Sequence, residues 1–256
     1  MIFGGAFGTV IQNAVNADVP TEVEEPEDNG LLEGLLAYFP MNEESGDMVD
    51  VSETYTLVAQ NAPGSAAGKI YDLARLFARE SEQYFTASIP DIENLNTAMT
   101  FAWWEYPVSY TGVGGNYNYI WGQGSYASGG FHIIHTHDGG IVLYLHDNTG
   151  PEAEWSKHTL QTPTLNAWNF SIFTYDSNTN VWTYRLNAED ELTDSDWVTG
   201  AWKATTSDPT VGCGPNLTHH YDGRMGPIMI WNSVLTSDQR LALYNSGAGI
   251  AYEDFT

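Results

Sequence analysis

Residues 221–249, YDGRMGPIMIWNSVLTSDQRLALYNSGAG, constrain the fold more than any other part of the chain, because a two-faced strand there runs directly into a short capped helix. Ile228 and Ile230 alternate with Met229 and Trp231, the period of two that a strand with two distinct faces requires. Thr236 offers a side-chain oxygen to the orphan amides of a first helical turn, Asp238 suits the positive end of the helix dipole, and Gln239 stands three residues after the cap. Leu241 and Tyr244 are expected to anchor this helix on a core, and Gly247 to end it in a left-handed conformation.

The same segment resembles the C-terminal signature of laminin-G-like, concanavalin A-like jelly rolls. Four other segments keep that family's order: Gly34 to Asp50 resembles its opening strand, and Leu73 to Phe85, Met99 to Glu105 (MTFAWWE) and Leu165 to Tyr175 (LNAWNFSIFTY) resemble later ones. The resemblance runs from about Gly30 to Gly249. It implies an all-β fold, a two-sheet antiparallel jelly-roll sandwich with a short C-terminal helix. It implies no single chemistry, because such jelly rolls serve as lectins, adhesion modules and enzymes.

A chain of 256 residues is long enough for one sizeable β-sandwich core. Its 33 acidic and 8 basic residues give a net charge of −25, so nucleic acid and anionic membrane surfaces are unsuitable partners. Abundant carboxylates beside scarce lysine also resemble the composition of halophilic proteins, whose self-repulsion is screened by salt. Cys213 is alone and forms no internal disulfide.

Residues 1–30 read as an apolar arm followed by an acidic linker, PTEVEEPEDNG, and residues 31–256 as the jelly-roll domain. Ile2, Phe3, Phe7, Val10, Ile11 and Val15 would expose a contiguous apolar surface if left free, so the arm is expected to dock onto a neighbouring subunit or a larger assembly. No basic residue precedes its hydrophobic run, which argues against a secretory signal, and polar residues break the run too often for it to span a membrane.

Phe131 to His137 and Ile141 to Asp147 read as a hairpin about Asp138 and Gly139. With a two-residue turn, Ile134, Ile141, Leu143 and Leu145 would face the core. Phe131, Ile133, His135, His137, Val142, Tyr144 and His146 would face outward. Trp168 to Tyr175 and Val181 to Leu186 form a second pair across DSNTN.

The resemblance implies that a glucanase of this fold would carry paired carboxylates on one strand as E-x-D-x-x-E, a pattern missing here. Glu189, Asp190, Glu191, Asp194 and Asp196 read as a solvated loop, and no serine or cysteine has a nucleophile's setting. No enzyme activity is therefore expected. His132, His135, His137 and His146 lack a diagnostic metal spacing, and no cofactor is expected. The family's structural calcium would need an acidic residue leading the closing strand, where Gly226 and Pro227 stand, although Asp47, Asp50 and Asp222 are possible oxygen donors.

Nine Trp and fifteen Tyr supply flat faces of the kind that stack on sugar rings. Tyr110, Tyr117, Tyr119, Trp121 and Tyr126 lie in a glycine-rich stretch and, with His135 and Tyr144, are the candidate glycan-binding residues. Together these features favour a virion structural protein, a head decoration, turret or tail-fibre component. Its arm would bind other virion proteins, a symmetric homo-oligomer such as a trimer is expected, and its lectin-like head would meet host-surface glycans outside the cell. The alternatives are a cellular carbohydrate-binding adhesion module and a polysaccharide-active enzyme.

Overall fold

The computed structural model describes residues 1, 28–110, 117–124, 129–146, 155–195, 201–203 and 205–256. The six apolar arm residues, Tyr126 and Asp196 lie outside them. In chain order the strands are β1 (Leu35–Phe39), β2 (Met48–Val49), β3 (Thr56–Gln60), β4 (Gly64–Ala67), β5 (Leu73–Phe77), β6 (Tyr84–Ala87), β7 (Ala98–Pro107) and β8 (Tyr117–Gly122). There follow β9 (Phe131–Thr136), β10 (Ile141–His146), β11 (Trp155–Thr159), β12 (Asn169–Asp176), β13 (Val181–Leu186), β14 (Leu192–Asp194), β15 (Thr210–Val211), β16 (Gly223–Trp231) and the helix α1 (Ser237–Tyr244).

These strands form the expected sandwich of two antiparallel sheets. The first runs β14-β13-β12-β7-β16-β5-β4, with β1 beside the second half of β16, and the second runs β11-β10-β9-β8-β15-β6-β3-β2. Between the sheets lies a core that includes Phe39, Phe77, Phe101, Trp103, Trp121, Phe131, Ile228 and Ile230. Phe101 meets Trp121 and Phe131 edge-on at 5.0 and 5.7 Å, the geometry that aromatic quadrupoles favour.

Both faces of β16 are buried. Ile228 and Ile230 enter the inter-sheet core, while Met229 and Trp231 pack under α1 and the C-terminus with Trp104, Phe170, Leu243 and Phe255. Gly226 and Pro227 form a bulge opposite β7, which suits a residue without an N–H. A Cβ on Gly226 would lie 3.0 Å from that of Trp104. Asn29 and Gly30 bond to Thr256, which ties the first continuous described segment to the last.

The capping box at Thr236 and Gln239 is present in full. Two details of the helix differ from expectation. Leu241 is 47 % exposed, and the helix is seated by Leu243 and Arg240 instead, with Tyr244 partly buried against Trp104 and Phe170. The left-handed stop falls on Asn245 (φ 45°), whose N–H reaches Leu241 O, two residues before Gly247. An asparagine tolerates that conformation because its side chain bonds locally, here to Gly249 O.

The β9–β10 hairpin also corrects the sequence reading. Its register pairs His135 with Ile141 and Phe131 with Leu145, so Phe131, Ile133 and His135 join Ile141, Leu143 and Leu145 on the inner face. Ile134, Val142, Tyr144 and His146 lie on the other face. The loop has three residues rather than two, with Gly139 at φ 89°, and one extra residue reverses every side chain of the strand. Among the described residues no helix is long and apolar enough to cross a membrane.

Candidate functional site

A bulge in β8 separates two kinds of aromatic residue. Tyr117 and Tyr119 pair with Thr136 and Ile134, whereas Trp121 pairs with Ile133, so one strand presents tyrosines outward and then turns tryptophan inward. Trp121 is therefore core and unavailable to a surface ligand. Tyr110 and His135 are also buried: their rings stack at 5.0 Å, and the Tyr110 hydroxyl donates to Pro163 O. Tyr144 stays partly exposed, across the strand pair from His132.

Tyr119 is positioned by a loop that sequence reasoning missed. Its N–H donates to His219 O at 3.1 Å, and its ring stacks on His219 at 6.1 Å and meets His132 edge-on at 5.4 Å. Gly214 makes room, since a Cβ there would meet the Tyr119 ring at 3.1 Å. Leu217 and His219 both hold positive φ, 58° and 60°, closed by Gly214 N–H to Thr218 O at 2.7 Å. Such strain at non-glycine residues is kept only where the surroundings impose it.

Beyond this loop lies a cleft of about 250 Å³ lined by Arg79, Glu80, Glu82, Leu217, His219 and His220. Arg79 closes its base, donating to His220 O at 3.1 Å and to Ser109 O at 3.0 Å. His220 is 8 % exposed, and its Nδ1 has no hydrogen-bond partner; neither has His219 Nδ1. A buried polar atom left without a partner carries a desolvation penalty. Burial lowers the His220 pKa, with Glu82 opposing, so the ring favours its neutral form. Tyr84, 5.8 Å from His220, extends the strip of rings along the outer face.

A wider depression of about 730 Å³ lies between α1 and the turn after β13. Glu191 there binds Arg240 at 2.7 Å and approaches Arg185 at 3.7 Å, locking helix to sheet. Glu191 is thus a structural clamp, not the solvated loop residue expected. Asp50, a possible calcium donor, spends its carboxylate on Ser52, Thr54 and Tyr55. Among the described residues no group of three or more His, Cys, Asp or Glu is arranged to hold a metal ion.

Burial holds the His132 pKa at about 4, against 6.5 for a free imidazole. Because the folded value is depressed, the full stability is present above pH 6.5 and declines toward pH 4, by about 3 kcal/mol in all. Urea unfolding at pH 7 and pH 4 should show this loss in the wild type and a smaller one in His132→Gln. Parallel losses would refute the assignment.

The family model described as the concanavalin A-like lectin/glucanases superfamily matches residues 80–239. No curated protein sequence matches the chain. Among solved structures it is similar to the binding domain of Paraclostridial Mosquitocidal Protein 1, at TM-score 0.63 and 13 % identity over 84 % of this chain and 52 % of that one. The binding domain of Botulinum Neurotoxin DC in complex with SialylT gives 0.59 and 11 % over 84 % and 51 %. A Trypanosoma rangeli sialidase gives 0.58 and 14 % over 86 % and 34 %. The chain spans about half the length of these toxin domains, and the likeness is one of fold.

Proposed function

The chain belongs to the concanavalin A-like lectin/glucanase superfamily, and from that membership we propose that it is a non-enzymatic, lectin-like head that binds a cell-surface glycan at the cleft beside Tyr119. The observation that carries this reading is the strip of rings at the cleft, with Tyr119 stacked on His219 and Tyr84 beside His220 on the outer face. An aromatic face with nearby hydrogen-bonding groups is what a pyranose requires, a C–H surface for the ring and acceptors for its hydroxyls. Of the sequence candidates, Tyr117, Tyr119 and Tyr144 are partly exposed, and His219, His220, Glu80 and Glu82 are added. Similarity to toxin binding domains supports binding over catalysis.

The head is presented, in this reading, on a virus particle, as a head decoration, turret or tail-fibre component. The apolar arm supplies the anchor, and its sequence supports contact with other virion proteins or with copies of the chain. The net charge of −25 would keep such heads apart in solution and fits a high-salt setting.

A glycan array probed with wild type and Tyr119→Ala tests the binding claim. Loss of one stacking face should weaken the best ligand by about 1–2 kcal/mol, roughly 5- to 30-fold. Equal binding by the variant, or release of reducing sugar from any polysaccharide, would contradict it. Particle fractionation with mass spectrometry tests the location.

A further inference from the structure

Resting on the glycan reading above, we propose that the cleft selects sugars without carboxylate or sulfate groups and rejects sialylated or sulfated chains. Recognition of an anionic sugar is strongest with a cation that has donors to spare. The one arginine lining the cleft has none in evidence: Arg79 is 9 % exposed, and its guanidinium already serves His220 O, Ser109 O and Ser109 Oγ, the last at 3.4 Å. The two charged groups that do face solvent there, Glu80 and Glu82, are carboxylates.

Other described cations are committed elsewhere. Arg75 is buried among backbone carbonyls, Arg185 and Arg240 meet Glu191, Arg224 lies over Tyr106, Lys69 lies over Trp104, and Lys203 has a contact of its own. None of them lines the cleft. The imidazoles do not replace them. His220 is over nine-tenths buried and favours its neutral form, so it does not neutralise an acid. The surrounding net charge of −25 adds to the exclusion at long range.

The test is an array of matched pairs, each a neutral oligosaccharide and its sialylated or sulfated derivative, followed by calorimetry on the strongest pair. Neutral members should bind, and their acidic derivatives at least about tenfold more weakly, the scale set by like charges a few ångströms apart in water. Glu80→Gln/Glu82→Gln, altered only at exposed positions, should narrow that gap. Acidic members that bind as well as neutral ones, or an unchanged gap in the double variant, would overturn the selectivity while leaving glycan binding intact. Silence from every pair would overturn the glycan reading itself, and the selectivity with it.

Discussion

Glu105→Ala should lower the folding free energy by about 3–5 kcal/mol, the combined scale of truncating a large buried side chain and leaving its hydrogen-bond donors unpaired. Glu105 lies wholly buried on β7 between the sheets. Its Oε1 accepts from Trp103 Nε1 at 3.1 Å, its Oε2 accepts from the Tyr221 hydroxyl at 3.2 Å, and His135 Nε2 stands 2.9 Å from the same oxygen. Alanine would strand two donors and open a void beside Trp103. Glu105→Gln keeps the shape and an acceptor and should lose less. A urea midpoint for the alanine variant equal to that of the wild type would refute the network.

Arg75→Ala should cost a similar amount, about 3–5 kcal/mol, for a different reason. Arg75 on β5 is fully buried, yet among the described residues no carboxylate is bonded to it. Its guanidinium instead donates to the carbonyls of Glu43 at 3.1 Å, Gly46 at 2.9 Å and Pro63 at 2.9 Å, and lies 5.1 Å over the Phe85 ring. Burial pulls its pKa down, while Glu43 and Asp47 pull it up. One planar fork therefore fastens the loop after β1 and the turn before β4 to the sheet. Arg75→Lys should recover only part of the loss, since a single ammonium cannot span three carbonyls set by two loops. Full recovery by lysine, or a negligible loss in alanine, would contradict that role.

The sequence makes local devices legible and non-local ones obscure. Thr236 and Gln239 are three residues apart, and their mutual bonds follow from that spacing alone. The DSNTN turn is legible in the same way: Asp176 caps it and Asn180 holds φ 56°. The β9–β10 hairpin was visible but its register was not, because all six residues of β9 are buried and the usual polar face is missing. Alternation alone therefore puts His135 outside, whereas the register places it inside.

The candidate site was half legible. Alternation exposes Tyr117 and Tyr119, but the bulge after Tyr119 that turns Trp121 inward leaves no mark in composition. The cleft itself joins Arg79 to His220 across 141 positions of chain, and it depends on left-handed backbone at Leu217 and His219, residue types that do not announce it. The adjacent histidines were the one available signal.

The central claim is that a glycan sits against His219 and His220. The chain has seven histidines, so imidazole NMR resonances can be followed individually while the best array ligand is titrated. The account predicts that His219 and His220 shift first and furthest, with buried His135 unmoved. Shifts centred on any other histidine, or none at saturating ligand, would contradict it.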